Sequence, residues 1–282
     1  MSCQDKPLPA GFVTREVDHA VIGNYMKKKY PAMCQCVGKP DTMYIYCSTV
    51  NFEKLINEIA GQPNAARMKI YFATYCEMPA PIDDIPAAYR DMTTLIFVPV
   101  DDTGIDIEKY YIIHPITGIF VDIPQPLAHT MVKYFQDNRV PVLQEIAFTA
   151  RPAFVESKSV WIELPKLNDP KVDPNRGFLT ELQCQPADGV AIHLGAHPVT
   201  EIYTRPSPTG PVKFPVGLQL TLILLPMKKA TFKGESYYYH LDIEDTPGYA
   251  VRSTLLGGPI GGGNTFNPCP PATGCQPSVG NP

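Results

Sequence analysis

Residues 94–99, Thr-Leu-Ile-Phe-Val-Pro, decide the fold, because the chain repeats them 127 positions later as Thr-Leu-Ile-Leu-Leu-Pro at residues 221–226. A short run of apolar and β-branched residues is typical of a buried strand. At the same offset the pair Tyr110-Tyr111 is followed by Tyr237-Tyr238. The repeat indicates that the chain contains two related units, and a search for internal copies therefore comes first.

Four further matches occur in the same order along the chain, at offsets between 110 and 123. They join residues 68–73 to 190–195, 62–63 to 185–186, 42–45 to 159–162 and 19–22 to 129–132. We predict a tandem duplication with a first unit at 1–123, a second unit at 124–250 and a Gly/Pro-rich tail at 251–282. The alternative is that short apolar strands resemble one another by chance.

The first unit has alternating signals for helices and strands. Thr14 can cap a helix over about residues 15–29 that Pro31 ends. A second helix follows, with Phe52, Leu55, Ile56 and Ile59 on one face and Gly61 at its C-terminus. Runs at 43–47, 68–75, 93–100 and 110–114 predict strands.

The second unit repeats this order, with helices near 127–138 and 178–183 and strands near 159–164, 189–195, 217–226 and 236–243. Strands joined without crossover helices pair antiparallel. We therefore predict an α+β protein of two related units, each a mainly antiparallel sheet of about four strands with two helices on one face.

Two long proline-rich loops stand at equivalent places in the two units. They are loop 1, Cys76–Asp91, and loop 2, Pro198–Pro215. Loops of this length in compact domains are often functional. They are the first candidates for a partner-binding surface, and the alternative is variable connecting sequence.

Composition excludes several classes of function. With 24 Lys and Arg against 28 Asp and Glu, the net charge is −4, so we expect no nucleic-acid partner. The hydrophobic fraction of 44 % suffices for a core. No apolar run approaches the roughly 18 residues of a membrane span. The first seven residues lack the pattern of a signal peptide, so we predict a cytoplasmic protein.

The eight cysteines are too few for a disulfide scaffold, and in a reducing compartment they are thiols by default. Cys269 and Cys275 could form a disulfide, or could join Cys34 and Cys36 in a four-thiolate zinc site. The spacing of neither pair matches the usual zinc pattern. The cysteines are Cys3, Cys34, Cys36, Cys47, Cys76, Cys184, Cys269 and Cys275.

Three other groups of residues have ordinary structural interpretations. His193 and His197 lie about 13 Å apart along a strand, too far to share a metal, and they match Tyr71 and Tyr75, which favours packing or a contact surface. The residues Asp101–Asp106 lack the spacing of a calcium loop and predict a turn. In loop 1, Asp83 and Asp84 with nearby Glu77 could act as paired carboxylates, but solvated charge is the simpler interpretation.

The glycine-rich run at 257–263 lacks the Lys-Ser/Thr pair of a phosphate-binding loop and favours a flexible tail. No nucleophile elbow, zinc-protease motif or paired C-x-x-C occurs. The sequence therefore indicates no catalytic residue, no cofactor and no metal ligand.

Residues 67–73 and 94–101 resemble a group of small uncharacterised bacterial proteins. Those proteins combine an R-I-Y-F/Y strand with an L-I-x-V strand and an acidic turn, and some end in a Cys-Pro-Pro-x-Cys tail, which Cys269–Cys275 resembles with a longer gap. The resemblance covers about half of the chain. The chain departs from the group in carrying two copies and in having Gly189 where the second copy would have the arginine. The resemblance implies no activity.

These observations predict a non-enzymatic protein that binds a protein or peptide partner through the paired loops. Two alternatives stay open. An enzyme with its site between the two units would show convergent side chains in a deep pocket. A structural or assembly protein would add exposed strand edges to its neighbours.

Overall fold

The computed structural model describes a large part of the 282 residues. The described residues are 12–13, 15–76, 82, 85–148, 156–164, 179, 182, 187–199, 202–205, 212–215, 217–232, 235–240 and 248–251. They form an α+β structure with antiparallel sheets, as the sequence predicted. The tail at 251–282 lies outside these residues apart from its first residue.

The helices lie mainly in two groups, each following a short strand. They are α1 (Arg15–Asn24), a π-helical segment (Tyr25–Lys29), α2 (Tyr30–Val37), α3 (Thr49–Ala60), a 3₁₀ turn (Ala87–Tyr89), α4 (Gln125–Asn138) and α5 (Val140–Phe148). Leu179 and Leu182 are helical and buried, within the range where the sequence predicted a short helix.

The strands vary from two to thirteen residues. They are β1 (Phe12–Val13), β2 (Tyr44–Ser48), β3 (Arg67–Thr74), β4 (Thr93–Val100), β5 (Tyr111–Ile113), β6 (Phe120–Asp122), β7 (Ser159–Glu163), β8 (Gly189–Ala196), β9 (Ile202–Arg205), β10 (Val212–Pro215), β11 (Leu220–Phe232), β12 (Glu235–His240) and β13 (Gly248–Val251).

Two sheets share one strand order. In sheet I the order is β1-β13-β11-β8-β2, with β12 also paired to β11, and in sheet II it is β6-β5-β4-β3-β7. All the pairs are antiparallel. The sheets exceed the predicted four strands because very short strands, such as β1 and β6, complete their edges. The hairpin of β9 and β10 forms a separate small sheet.

The central strands of the two sheets also share their register. Tyr71 of β3 lies opposite Ile96 of β4. His193, which is 122 positions after Tyr71, lies opposite Ile223, which is 127 positions after Ile96. These are the two offsets at which the sequence repeats. The matches in these central strands therefore occupy equivalent positions in the two sheets.

Two other matches do not occupy equivalent positions in the sheets. Tyr111 lies opposite Phe97, whereas Leu224, the counterpart of Phe97, lies opposite Tyr249 and not Tyr238. Likewise, the position equivalent to Tyr44 is Ser159, at an offset of 115 and not 117.

The sequence did not predict which sheet the first strand of each unit joins. Strand β2, from the first unit, pairs with β8, where Tyr44 lies opposite His193. Strand β7, from the second unit, pairs with β3, where Ser159 lies opposite Tyr71. Residues 1–123 and 124–250 thus exchange strands, and neither range supplies a complete sheet.

The first helix continues past Pro31, where the sequence predicted its end. Pro31 lies in the first turn of α2, a position at which the N–H is not needed for the helical hydrogen bonds. The preceding π-helical segment absorbs the change in hydrogen-bonding pattern. The helix ends instead at Gly38, whose φ of 74° is the left-handed conformation that glycine favours. The predicted cap, Thr14, lies outside the described residues.

The main core takes side chains from both sheets. Alternate residues of β3 and of β8 point into it, and the apolar face of α3 packs on the same core, as its sequence pattern predicted. The members on these three elements are Met68, Ile70, Phe72, Val190, Ile192, Leu194, Phe52, Leu55, Ile56 and Ile59. A second cluster packs α4 on the other face of sheet II through Leu127 and Met131.

Candidate functional site

Loop 1 and loop 2 leave the two sheets at equivalent places, between β3 and β4 and between β8 and β11. The structure describes parts of both loops. Loop 1 contains the 3₁₀ turn, and loop 2 contains the hairpin of β9 and β10. The acidic residues Glu77, Asp83 and Asp84 of loop 1 lie outside the described residues.

The same backbone hydrogen bonds close the base of both loops. Tyr75 donates its N–H to the carbonyl of Met92 at 3.0 Å and accepts from Asp91 N–H at 2.6 Å. In loop 2, His197 donates to the carbonyl of Gln219 and accepts from Leu218 N–H, both at 3.0 Å. Each loop therefore starts and ends at a fixed pair of positions on its sheet.

A non-glycine residue in the left-handed conformation stands at each loop base. The φ angles are 65° at Asp91 and 64° at Leu218. This conformation is costly for residues with a Cβ atom and persists where the surrounding structure fixes it. Because the two residues are 127 positions apart, the offset of the repeated strands extends to the closing residues of the loops.

A buried carboxylate anchors the strand that follows each loop. Asp41 accepts hydrogen bonds from the N–H and the hydroxyl of Thr93, the first residue of β4, both at 2.7 Å. Glu156 accepts at 2.7 Å from the N–H of Leu220, the first residue of β11. Glu156 also accepts at 2.9 Å from Ser157 N–H. These bonds hold the outgoing end of each loop.

A buried cation interacts with each carboxylate. Lys29 Nζ donates to Glu156, and both side chains are fully buried. Arg139 is only 1 % exposed and interacts electrostatically with Asp41. We call Lys29–Glu156, which is an ion pair, the first buried charge pair, and Arg139–Asp41, whose charges interact electrostatically, the second. Since a buried charge is expensive unless it is compensated, each pair depends on both members.

The pKa values of these groups reflect their burial. Burial lowers the pKa of Lys29, and the Glu156 carboxylate opposes this effect. Burial raises the pKa of Asp41, while hydrogen bonds from Thr93 and the charge of Arg139 oppose that rise. At both Lys29 and Asp41 burial therefore outweighs the opposing interactions, and the pKa shifts in the direction that favours the neutral form.

Arg139 also holds the base of loop 1 directly. Its Nη2 donates to the carbonyl of Asp91 at 2.8 Å, and its guanidinium lies 5.9 Å from the centre of the Tyr134 ring. Tyr134 in turn donates its hydroxyl to the Asp91 carboxylate at 3.2 Å. Residues at the C-terminal end of α4 therefore hold both the backbone and the side chain of Asp91.

The histidines singled out by spacing are buried. His193 lies within β8 and His197 directly follows it, and each is less than a tenth exposed. The His193 ring lies 5.0 Å from the ring of Tyr44. These positions fit the packing interpretation, and His197 additionally closes loop 2 through its backbone.

A half-buried polar group on sheet II was not predicted from the sequence. Asp106 accepts from the Tyr71 hydroxyl at 2.6 Å and from Lys69 Nζ at 3.0 Å. Burial, followed by the nearby Asp106 charge, raises the pKa of Tyr71 well above its ordinary value. Because these residues are 35 and 37 positions from Asp106, no short sequence pattern joins them. The turn before Asp106 is as predicted, with the Asp101 carboxylate accepting from the N–H of Thr103 and of Ile105.

The structure explains why Gly189 stands where the first unit has Arg67. Arg67, its counterpart in sheet II, lies over Trp161 with its guanidinium 4.7 Å from the ring centre. In sheet I, the ring of Tyr46 occupies the space above Gly189, and a Cβ atom there would overlap it. The smaller residue therefore makes room for an aromatic ring that packs directly on the strand.

The described cysteines do not all follow the expectation of free thiols. Cys34 and Cys47 are free thiols, and burial raises the pKa of Cys47 to about 12. Cys36 is disulfide-bonded, and its partner lies outside the described residues. Cys269 and Cys275 also lie outside them. In the described part of the chain, no three His, Cys, Asp or Glu side chains are placed to hold a metal ion.

Comparison with known proteins finds no family model, no curated protein and no solved structure that matches the chain. Across the described residues, the helices are too short or too polar to cross a bilayer.

The sequence signal for the buried charge pairs was present but overlooked. Lys29 and Pro31 recur as Arg139 and Pro141, at the offset of 110 that relates the first helices of the two units. The carboxylates recur as well, at an offset of 115. The signal in the sequence is that residues of like charge, Lys29 with Arg139 and Asp41 with Glu156, recur at offsets close to those of the neighbouring matches.

Proposed function

We propose that this protein binds a protein or peptide partner through loop 1 and loop 2 and has no catalytic activity. The equivalent closure of the two loops carries the proposal. Each loop is closed at both ends by backbone hydrogen bonds, and a buried carboxylate that interacts with a buried cation holds the strand that follows it. Binding residues are often found on loops that a rigid scaffold positions in this way.

The composition of the loops supports a preorganised surface. Loop 1 contains three prolines and loop 2 contains five. Proline restricts the unbound chain, so less conformational entropy is lost when a partner orders the loop. A closed base has the same effect, because it fixes where each loop begins and ends.

The charges of the loops favour an asymmetric partner. Loop 1 has four acidic residues and one arginine, whereas loop 2 has one glutamate, one arginine and one lysine. Oppositely charged surfaces steer association and set orientation. We therefore expect the partner to present a basic segment to loop 1.

Replacement of each loop tests this proposal. Residues 77–90 and 200–215 are replaced by short Gly-Ser linkers, separately and together, while both closed bases are retained. The matched control replaces residues 102–104, the exposed turn between β4 and β5. Proteins captured by the tagged wild-type chain are identified and purified, and their affinities for all variants are measured by calorimetry.

We expect the control to bind as the wild type does and each loop replacement to weaken binding about tenfold or more, which is about 1.4 kcal/mol. Neutralising Asp83 and Asp84 should slow association and reduce its dependence on salt. If every captured protein binds the double replacement as tightly as the wild type, the loops are not the binding surface and the proposal fails.

We also propose that the two units arose by tandem duplication. The shared strand order of the sheets, the shared register and the shared loop closure support this origin. The bacterial resemblance and the cytoplasmic location remain predictions from the sequence.

A further inference from the structure

The two buried charge pairs occupy equivalent places in the fold. Arg139 follows Lys29 by 110 positions, and Glu156 follows Asp41 by 115. The offset of 110 also relates β1 to β6, because Asp122 of β6 is 110 positions after Phe12 of β1. Phe12 pairs with Tyr249 of β13, and Asp122 pairs with Tyr111 of β5. Strands β13 and β5 hold equivalent places beside β11 and β4.

The second offset relates the exchanged strands β2 and β7, whose first residues are Tyr44 and Ser159. Each carboxylate precedes the first residue of its exchanged strand by three positions. Lys29 stands two positions before Pro31, and Arg139 stands two positions before Pro141. The charge pairs are thus parts of the repeated plan and not isolated contacts.

Each charge pair joins the two units in a reciprocal manner. The first takes its cation, Lys29, from the first unit and its carboxylate, Glu156, from the second. The second takes its cation, Arg139, from the second unit and its carboxylate, Asp41, from the first. Reciprocal contacts of this kind are what a two-fold symmetric interface produces.

The exchanged strands obey the same rule. Sheet I combines β1 and β2 of the first unit with β8, β11 and β13 of the second. Sheet II combines β3, β4 and β5, which precede residue 114, with β6 and β7, which follow residue 119. The exposed turn between β5 and β6 therefore joins two segments that complete each other's sheets.

We infer that this chain is the covalently joined form of a strand-exchanged homodimer, in which the partner of each half is the other half and the two buried charge pairs lock the exchanged strands in place. The halves are residues 1–116 and 117–282, divided in the exposed β5–β6 turn, where Ile116 is 60 % exposed. The inference rests on the proposed duplication and is independent of partner binding by the loops.

The first experiment uses the full chain with a protease recognition sequence inserted after Ile116. The cleaved protein is kept in a thiol reductant, because Cys36 is disulfide-bonded. We expect the two fragments to co-elute at the size of the intact 31.2 kDa protein and to separate only when denaturant is added. Two independently eluting fragments in native buffer would overturn the inference. The loop replacements should leave this co-elution unchanged, so the proposed function and the inference can fail separately.

The second experiment transplants one charge pair into the place of the other. Lys29→Arg lengthens the cation and Glu156→Asp shortens the anion, so the double variant reproduces the chemistry of Arg139–Asp41. We expect each single variant to melt below the wild type and the double variant to recover most of that loss. In the cleaved protein, the singles should release their fragments about tenfold faster or more, and the double should restore slow release.

The exposed pair Lys133–Asp137 provides the matched control, since its side chains are 31 % and 47 % exposed. Lys133→Arg with Asp137→Glu should leave both the melting temperature and the release of fragments unchanged. If the single variants at Lys29 and Glu156 behave like this control, or if the double variant is as impaired as the two singles combined, the charge pairs do not lock the exchange.

Discussion

Replacement of Glu156 by glutamine separates the charge of the first buried pair from its hydrogen bonds. A glutamine oxygen can still accept from the N–H groups of Ser157 and Leu220, but it cannot compensate the charge of Lys29. Both side chains of the pair are fully inaccessible. Breaking a buried ion pair by removing one partner costs about 3–5 kcal/mol. That is a large share of a total stability of roughly 5–15 kcal/mol.

The thermal shift follows from the size of the chain. About 1 kcal/mol lowers the melting temperature of a domain of this size by roughly 2–4 °C. Circular dichroism should therefore show Glu156→Gln melting roughly 6–20 °C below the wild type at pH 7. The matched control is Asp137→Asn in the exposed pair, which should cost about 0.5 kcal/mol or less.

The pH dependence of this variant has a definite sign. Burial already lowers the pKa of Lys29 below its ordinary value of 10.5, and loss of the carboxylate removes the main opposing effect. Between the folded and unfolded pKa values the unfolded chain binds more protons, so stability rises with pH. We expect the deficit of Glu156→Gln to shrink between pH 7 and pH 10. A melting temperature within 2 °C of the wild type at pH 7, or a deficit that grows with pH, would refute this reasoning (the 2 °C limit corresponds to about 1 kcal/mol or less).

Three further substitutions test the loop base, the core and the surface group. At Gly217, an added Cβ would overlap a backbone oxygen across the base of loop 2, so Gly217→Ala should lower the melting temperature. Gly23 has open space around it, so the control Gly23→Ala should raise the melting temperature slightly. The reverse order would contradict the closed base. Leu55→Ala removes a fully buried side chain of α3 and should lower the free energy of unfolding, measured in urea, by about 2–5 kcal/mol. A loss under about 0.5 kcal/mol, typical of surface sites, would place Leu55 outside the core. A double-mutant cycle of Tyr71→Phe and Asp106→Asn should give a coupling of about 1–2 kcal/mol, because the 2.6 Å hydrogen bond is charge-assisted, and additive effects would show that the bond adds nothing.

Local patterns predicted most of the elements correctly. The spacing of Phe52, Leu55, Ile56 and Ile59 identified the face of α3 that is buried, since helical periodicity depends only on neighbours in sequence. The apolar run at 93–100 is a strand over its full length. The prediction that Pro31 ends the first helix was wrong, because a proline in the first turn after a π-helical segment cannot be told from a helix-ending proline by local sequence. The shortest strands, such as β1 and β6, carry too few residues for a pattern.

The sequence predicted where the two loops lie but not which side chains hold their bases. The two long loops were recognised by length and proline content, and the repeat placed them at equivalent points. Their closure depends on Asp41 and Glu156, which lie 52 and 64 residues from the strands they anchor. The Tyr71–Asp106 pair is likewise remote in sequence. Such contacts are set by the path of the chain through space, which a linear pattern does not encode.

By itself the sequence determined that the chain is α+β, that its strands and helices recur at drifting offsets and that two equivalent loops interrupt the recurrence. Only the tertiary structure decided that β2 and β7 change places and that Lys29 and Arg139 interact with carboxylates from the other half of the chain. The physical reason is that a strand's apolar pattern specifies which face is buried but not which sheet edge supplies its hydrogen bonds. That choice is made by packing, because the exchanged arrangement gives each buried carboxylate a strand N–H donor and brings it under the charge of a buried cation.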